Sequence, residues 1–331
     1  MRSLQNTFSM KIEPIIHGLS NESYHYEKPY SDYLSSSQLK IYSRSPKAFK
    51  FASDNPTDAL RFGSLFHDLM AKIAERKSIN AGLLDWYNNI ALFQEPINPK
   101  TDQPYGATTK AYKEAYEAFL IDNADKIIAS DAEVELCRDM MYSLCEESGA
   151  TSEQVRKLLR WGKPEVSHFV EYEGLKFKFR PDLETPKKII DYKTIATDDL
   201  SERSINAQIA KYGYDISAAF YLFMEHLQSG KWKRFYWIFV SKQPPFDAVI
   251  VDASKWAYDY DPETDIVMPQ VGAIKFKALL DLHIQCSRKN EWPGSEIFIP
   301  KADNGLRIMC PTPPPWEVNN AANLLEQSFN E

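Results

Sequence analysis

The residues of this 331-residue chain that could do chemistry together lie in one short stretch: Arg180-Pro181-Asp182, eight residues, then Asp191-Tyr192-Lys193. Side chains two apart on a strand share a face, so Asp191 and Lys193 project together while Tyr192 turns to the other side. Asp182 ends the preceding strand at a turn, from which a hairpin brings its carboxylate beside Asp191. Two carboxylates and one ammonium at a sheet end suit metal-assisted hydrolysis of a phosphodiester. Hard oxygen ligands hold Mg²⁺, which keeps several waters and contacts phosphate directly. Such a metal lowers the pKa of bound water and screens the charge that builds in the transition state. A neighbouring lysine can orient or deprotonate the attacking water, or offset that charge. Each piece alone has a plainer reading: Asp and Lys two apart form an ordinary same-face ion pair, and Arg-Pro-Asp is a common turn. The spacing between two strands is what joins them.

The elements that must position these residues are legible around them. After Gly162 the segments 165–172, 175–182 and 187–194 are short, rich in β-formers and separated by turns containing Gly or Pro, which predicts a strand meander. A long helix is expected over 204–228, with Ile205, Ile209, Tyr212, Ile216, Ala219, Phe220 and Phe223 on one side. Strands follow at 232–241 and 246–252, then a helix at 270–288. Upstream the pattern is helical. Ser35 and Gln38 stand in a capping-box relation, and Pro46 breaks or restarts the helix. Residues 57–77 carry a broad apolar face (Leu60, Phe62, Leu65, Phe66, Leu69, Met70, Ile73), interrupted by Gly63, whose presence suggests a close backbone approach. Residues 94–109 read as a surface loop, and helices are expected at 109–127 and 130–160. The order is thus β-β-β-α-β-β after a helical N-terminal third, an α/β (α+β) domain with one wrapped sheet. We divide the chain into a mainly helical part (1–160), a core (161–316) and a tail (317–331), forming one integrated domain.

Composition sets bounds. Hydrophobic residues make up 44% and charged residues 26%, which excludes a disordered, collagen-like or coiled-coil chain. No apolar run approaches the roughly 20 residues of a membrane span, and the start has no signal-peptide pattern; a cytoplasmic protein with no membrane association is expected. Four cysteines (Cys137, Cys145, Cys286, Cys310), with no CxxC, are too scattered for a disulfide framework or a zinc knuckle, and no C-terminal trio suggests an iron–sulfur cluster. Reduced, buried thiols are expected. The net charge of −7 argues against a general nucleic-acid binder. It is unevenly spread: +3 over 1–80, −9 over 81–154, +5 over 155–245 and −6 over 246–331. Segregation of this kind fits a local polyanion site on an acidic exterior, and also block sums arising by chance.

The ordered series PEVSHF (164–169), FRPD (179–182), IIDYKT (189–194) and KYGYDISAAFY (211–221) resembles the exonuclease VIII-type branch of the PD-(D/E)XK nuclease superfamily, the phage and prophage recombination nucleases. SSSQL (35–39), SPKAF (45–49), ALRFGSLFHDLM (59–70), EWPG (291–294) and Pro315-Trp316 extend the likeness to about residues 17–316, with 81–154 matching least. The resemblance implies a PD-(D/E)XK core, a central mixed β-sheet flanked by helices. Asp182 and Asp191 become metal ligands, with the backbone carbonyl of Tyr192 completing the shell and His67 joining from the upstream helix. Lys193 becomes the catalytic lysine, and Glu165 an acidic group supporting the site. Tyr221 matches the tyrosine of a Q-x-x-x-Y helix motif that contacts DNA. Ser217 stands where that motif has glutamine, a shorter side chain with one hydroxyl in place of a two-ended amide.

The function so implied is a Mg²⁺-dependent (or Mn²⁺-dependent) exodeoxyribonuclease. It would digest double-stranded DNA ends 5′→3′ and leave 3′ single strands for homologous recombination. A single-strand annealing protein would be its partner, a ring-like homo-oligomer its assembly, and the bacterial or phage-infected cytoplasm its location. Two other readings are an endonuclease or repair nuclease of the same superfamily, and a non-catalytic DNA-end-binding recombination scaffold, against which the intact Asp182, Asp191 and Lys193 count and for which Ser217 counts mildly. Lys176, Lys178 and Arg180, two apart on one strand face, either track a phosphate backbone or form a solvated strand face. His17, His25, His168, His226 and His283 have no carboxylate context and are read as structural. The other aromatics of the 204–228 helix are read as core, and the strand bearing Trp232 and Trp237 as core and edge packing.

Overall fold

The computed structural model describes residues 10–12, 14–52, 58–299 and 301. Cys310, the PTPPPW segment with Pro315-Trp316, and the 317–331 tail lie outside the described residues. Seven helices and seven strands frame the site: α1 (Ser36–Ile41), α2 (Asp58–Arg76), α3 (Asp131–Cys145), α4 (Ala150–Trp161), β1 (Lys163–Pro164), β2 (His168–Tyr172), β3 (Leu175–Phe179), β4 (Leu183–Glu184), β5 (Lys188–Ile195), α5 (Glu202–Tyr212), α6 (Tyr214–Ser229), β6 (Arg234–Ser241), β7 (Ala248–Asp252) and α7 (Val271–Lys289). The central sheet has the order β7-β6-β5-β4-β1. It is mixed: β5 and β6 run parallel with Lys188 opposite Arg234 and Ile195 opposite Ser241, while the other neighbours are antiparallel.

Alternation along β5 decides what each face buries. Ile190 and Tyr192 join Ile238 and Val240 against Phe66 and Leu69 of α2, Met140 of α3 and Leu159 of α4. Ile189 and Ile195 join Trp237 and Phe239 against Ile209 of α5, Phe220 of α6 and Leu280 of α7. The molecule is therefore helix–sheet–helix in layers, with both faces of β5 and β6 dry. Each fully buried aromatic or aliphatic side chain contributes on the order of 1.5–3 kcal/mol. Both cores draw residues from before and after Gly162.

The local signals hold where they rest on near neighbours. The Ser35 hydroxyl accepts the Gln38 N–H while Gln38 Oε1 accepts the Ser35 N–H at 2.9 Å. Ser45 caps a restarted helix, Pro46–Lys50. That helix is held by EWPG: Lys47 N–H donates to Pro293 C=O at 2.9 Å, and Phe49 stacks on Trp292 with centroids 5.7 Å apart.

Several expectations are corrected. The meander is not one sheet. β2 and β3 pair with each other and with Met10–Ile12 in a separate three-stranded sheet, because Pro181 cannot donate to a ladder and the chain turns there before β4. The single helix over 204–228 is two helices, broken at Gly213, which takes a left-handed φ of +61° as the C-cap of α5. Tyr212 is consequently exposed, as is Leu60 on α2. Gly63 makes no close approach: a Cβ there would lie 3.9 Å from Thr194 Oγ1, whereas one at Gly82 would lie 2.4 Å from Ile73 Cα. The 130–160 stretch is two helices, α3 and α4, and the 94–109 loop contains a short hairpin, Ile97–Asn98 with Gln103–Pro104. A hairpin at Tyr258–Asp261 and Ile266–Pro269 was not anticipated. Cys137, Cys145 and Cys286 are free and buried, and burial pushes the Cys137 and Cys145 thiols up to about 12. Among the described residues no helix is long and apolar enough to cross a membrane.

Candidate active site

The β5 pleat sends Asp191 and Lys193 to the α6 side, where Lys193 Nζ lies 2.6 Å from Asp191 Oδ2. The turn before β4 delivers Asp182 to the same end of the sheet. Antiparallel pairing of β4 with β5 covers only Ile189 and Ile190, so the Tyr192 N–H beyond it is free to donate to Asp182 Oδ2, at 2.6 Å. Asp182 Oδ1 lies 3.3 Å from Nδ1 of His67, which α2 carries in from the other layer. The Tyr192 ring faces away and meets Phe66 edge-on, which fixes α2 against β5 and so fixes His67. Asp182, Asp191, Lys193, His67 and the Tyr192 backbone are thus one cluster.

Glu165 is placed by strain. It lies between β1 and β2 with a φ of +49°, a left-handed conformation that a non-glycine residue adopts only where surrounding structure enforces it. Its N–H donates to the Asp182 carbonyl at 3.4 Å, and its carboxylate lies 3.8 Å from Nη1 of Arg180. It is therefore a turn residue rather than a residue of the first strand. Arg180 is buried, and its fork is spent inside the protein: Nε donates to Ser167 Oγ (2.9 Å), Nη1 to Asn21 Oδ1 (2.7 Å) and Nη2 to Leu19 C=O (3.1 Å), with the Tyr24 ring 3.8 Å away. Lys178 is buried as well, with Nζ on the Tyr24 and Tyr30 carbonyls at 2.5 and 2.9 Å. Neither a phosphate-tracking row nor a solvated face describes this strand. The N-terminal segment folds over it, and only Lys176 of the three is exposed. Tyr221, on α6, donates its hydroxyl to the Arg180 carbonyl at 3.3 Å and packs on Phe179 and Phe235. Ser217 is half-buried one turn before it. A cleft of about 710 Å³ opens onto this cluster, bordered by Ser35, Arg61, His67, Glu165, Asp182 and Tyr221.

The electrostatics describe a site short of positive charge. Burial, then repulsion by Asp182, pushes the Glu165 carboxyl up to about 8, against a smaller pull from Arg180. Burial raises Asp191 also, and Asp182 adds to this, although Lys193 opposes it. Asp182 is the exception. Burial works against its charge, but His67, Lys193 and the Tyr192 N–H outweigh it and hold the carboxyl below its usual range. Lys193 is raised, burial being overcome by Asp191 and Asp182. Hard carboxylate oxygens and an imidazole are the donor types a divalent cation takes, and two of the carboxyl groups are raised chiefly by burial, although no three of these residues bring donor atoms within 4.8 Å of one another among the described residues. Asp182, Asp191 and Glu165 would hold it, with His67 as a nitrogen donor.

Residues 35–296 match the family described as a PDDEXK-like domain of unknown function (DUF3799). The chain belongs to this family. The PDDEXK-like domain spans α1 to the EWPG turn, and so contains every residue of the cluster. The chain also aligns with the crystal structure of a "Putative exonuclease" from Eubacterium rectale, with 16% identity, 90% of this chain and 96% of that chain covered, and a TM-score of 0.42. No curated protein matches the chain.

Two features of this PDDEXK-like domain escaped sequence reasoning. His168 has a carboxylate context after all: its Nε2 lies 3.2 Å from Glu184 Oε2 and its Nδ1 3.9 Å from Glu225 Oε2. These three residues offer donor atoms all within 4.8 Å of one another, the one group of three or more His, Cys, Asp or Glu among the described residues that does so. Lys233 Nζ already sits between the two carboxylates, at 3.0 and 3.1 Å, and supplies their cation, which makes the group a buried ionic tie between β2, β4, α6 and the start of β6. The second feature is Lys40. The break at Gly213 lets it reach the Tyr212 carbonyl at 3.2 Å and approach the Tyr214 ring, whose centroid is also 4.9 Å from Lys193 Nζ. Burial, then repulsion by Lys193, lowers Lys40 to about 8. The glycine at 213 was the sequence signal for Lys40, and the His168 group had none.

Proposed function

We propose that this PDDEXK-like nuclease domain is a divalent-metal-dependent exodeoxyribonuclease acting at double-stranded DNA ends, 5′→3′, and leaving 3′ single strands for recombination. The observation that carries the reading is the convergence of Asp182, Asp191, Lys193 and His67 at one end of the central sheet, beside an open cleft. A bound Mg²⁺ or Mn²⁺ supplies Lewis-acid screening and an acidified water. Asp182, Asp191 and Glu165 would hold and orient it with His67 as a nitrogen donor; the Tyr192 N–H fixes Asp182 Oδ2, and His67 Nδ1 lies 3.3 Å from Oδ1. Lys193, charged at neutral pH, exchanges its contact with Asp191 for the attacking water or a phosphate oxygen. Tyr221 and Ser217 border the DNA path. A ring-like oligomer, an annealing-protein partner and a cytoplasmic setting belong to the same reading, on the strength of the sequence resemblance.

The test is degradation of end-labelled linear duplex with and without Mg²⁺, beside Lys193→Ala and Asp191→Asn, with closed circular DNA in parallel. Metal-dependent loss of the linear DNA alone, abolished by both substitutions, is the expected result, and the order of label release gives the polarity. Cleavage of circles would reassign the protein as an endonuclease. Binding without cleavage in the wild type would make it a scaffold.

A further inference from the structure

The reverse face of the sheet carries a second recess, of about 540 Å³, between the C-terminal turn of α4 and the N-terminal ends of β5 and β6. Its walls are apolar (Leu158, Pro186, Ile250), and two rings border it: Tyr236 from β6 and Trp161, the last residue of α4. Trp161 is 72% exposed, an unusual position for the largest apolar side chain. Gly162 fixes the chain behind it, since a Cβ there would lie 2.5 Å from Leu183 Cγ.

Cations gather here in a chain of net charge −7. Lys187, in the turn between β4 and β5, and Lys188, 5.2 Å from the Tyr236 ring, line the recess, and Arg160, outside its lining, lies 5.4 Å from the Trp161 ring. None of these three forms an ion pair among the described residues. The neighbouring acids are engaged elsewhere: Glu153 holds Lys157 at 2.7 Å, and Asp252, across the ladder from Tyr236, accepts the Ser254 N–H at 2.8 Å.

A ligand that satisfies this surface needs flat apolar groups for the rings and walls, and anionic groups for the lysines. Duplex DNA meets only the second need, because its bases are stacked on each other. An unpaired strand meets both, offering a π-face and a phosphate at every step. We infer that this recess binds single-stranded DNA, stacking a base against Trp161 and Tyr236 while Lys187, Lys188 and Arg160 take the flanking phosphates. The site is distinct from the catalytic cluster: Lys188 precedes Asp191 by three residues, roughly 10 Å along β5, and points to the opposite face. The inference rests on the nuclease reading only for the source of the strand.

The experiment avoids cleavage altogether. Fluorescein-labelled dT12 and a 12-base-pair duplex are titrated with the full chain in a chelator, and a 5-iododeoxyuridine version of the single strand is photo-crosslinked and mapped by mass spectrometry. Adducts at Trp161 or Tyr236 are expected, with Trp161→Ala weakening dT12 binding about tenfold. Lys187→Ala with Lys188→Ala should reduce the log K against log salt slope by about 1.4. Wild-type affinity and slope in these variants would overturn the proposal. So would an acidic, phenylalanine-containing peptide whose binding needs Trp161 when dT12 binding does not, since the recess would then serve a protein partner. Cleavage without the adduct sinks this inference alone, and the adduct without cleavage sinks the nuclease reading alone.

Discussion

Replacing Arg180 by lysine keeps the charge and removes the fork. The guanidinium makes three directed hydrogen bonds, to Ser167, Asn21 and the Leu19 carbonyl, besides facing Glu165 and Tyr24. One ammonium can keep the charge and one of those contacts. Two bonds from a charged donor, at about 1.5–3 kcal/mol each and partly recovered by relaxation, put the loss at roughly 3–4 kcal/mol. An unfolding entropy of about 2.1 cal/mol/K per residue gives roughly 0.7 kcal/mol/K for a chain of this length, so Arg180→Lys should melt about 4–6 °C lower. Arg180→Met, which removes all three hydrogen bonds and leaves the Leu19 carbonyl, Asn21 and Ser167 without that donor, should fall by about 4–7 °C. Differential scanning calorimetry in a chelator reads these shifts, and anisotropy with labelled duplex reads DNA binding in parallel. A Tm within 1 °C of wild type for Arg180→Lys, with DNA binding sharply weakened, would refute this reasoning and return Arg180 to the DNA interface.

Glu165 predicts a pH dependence. Its folded-state pKa is raised to about 8, so the folded protein binds the proton more tightly than the unfolded chain, and stability from this group falls as pH rises from about 4.5 to 8. Mg²⁺ should therefore raise the Tm more at pH 8 than at pH 5.5, and Glu165→Gln should shrink that difference; equal metal effects at both pH values would contradict the assignment. Gly63→Ala should be tolerated or stabilise by about 0.5–1 kcal/mol, since a methyl there meets nothing nearer than 3.9 Å, while Gly82→Ala should destabilise clearly because its Cβ would overlap the Ile73 backbone. Thermal melts of the two variants, unchanged or raised for Gly63→Ala and lowered for Gly82→Ala, are the check.

Much of the cluster was legible because its logic is local. Asp191 and Lys193 share a face by the two-residue period of a strand, and a hairpin out of the Arg180-Pro181-Asp182 turn brings Asp182 to the Tyr192 N–H. Other elements were legible but misjoined. Nothing in the periodicity of 204–228 separates one helix from two, yet Gly213 ends α5 and sets Tyr214 beside Lys193. The three strands after Gly162 were each recognisable, but which sheet each one joined depended on partners far along the chain, Met10–Ile12 among them.

Devices whose energies act over one to four residues follow from residue order alone: the Ser35–Gln38 capping box, the restart at Pro46, and the alternation that makes β5 dry on both faces around an Asp–Lys pair. The fate of charges on strands depends on long-range packing. Lys178 and Arg180 read as a surface row until residues 19–33 cover them and supply carbonyls in place of water. His168 read as isolated until Glu184, Glu225 and Lys233, carried on three other elements, close around it. The physical reason is the same in both cases. A charge becomes structural when burial removes its water and distant groups replace it, and neither the burial nor the replacement has a period in the sequence.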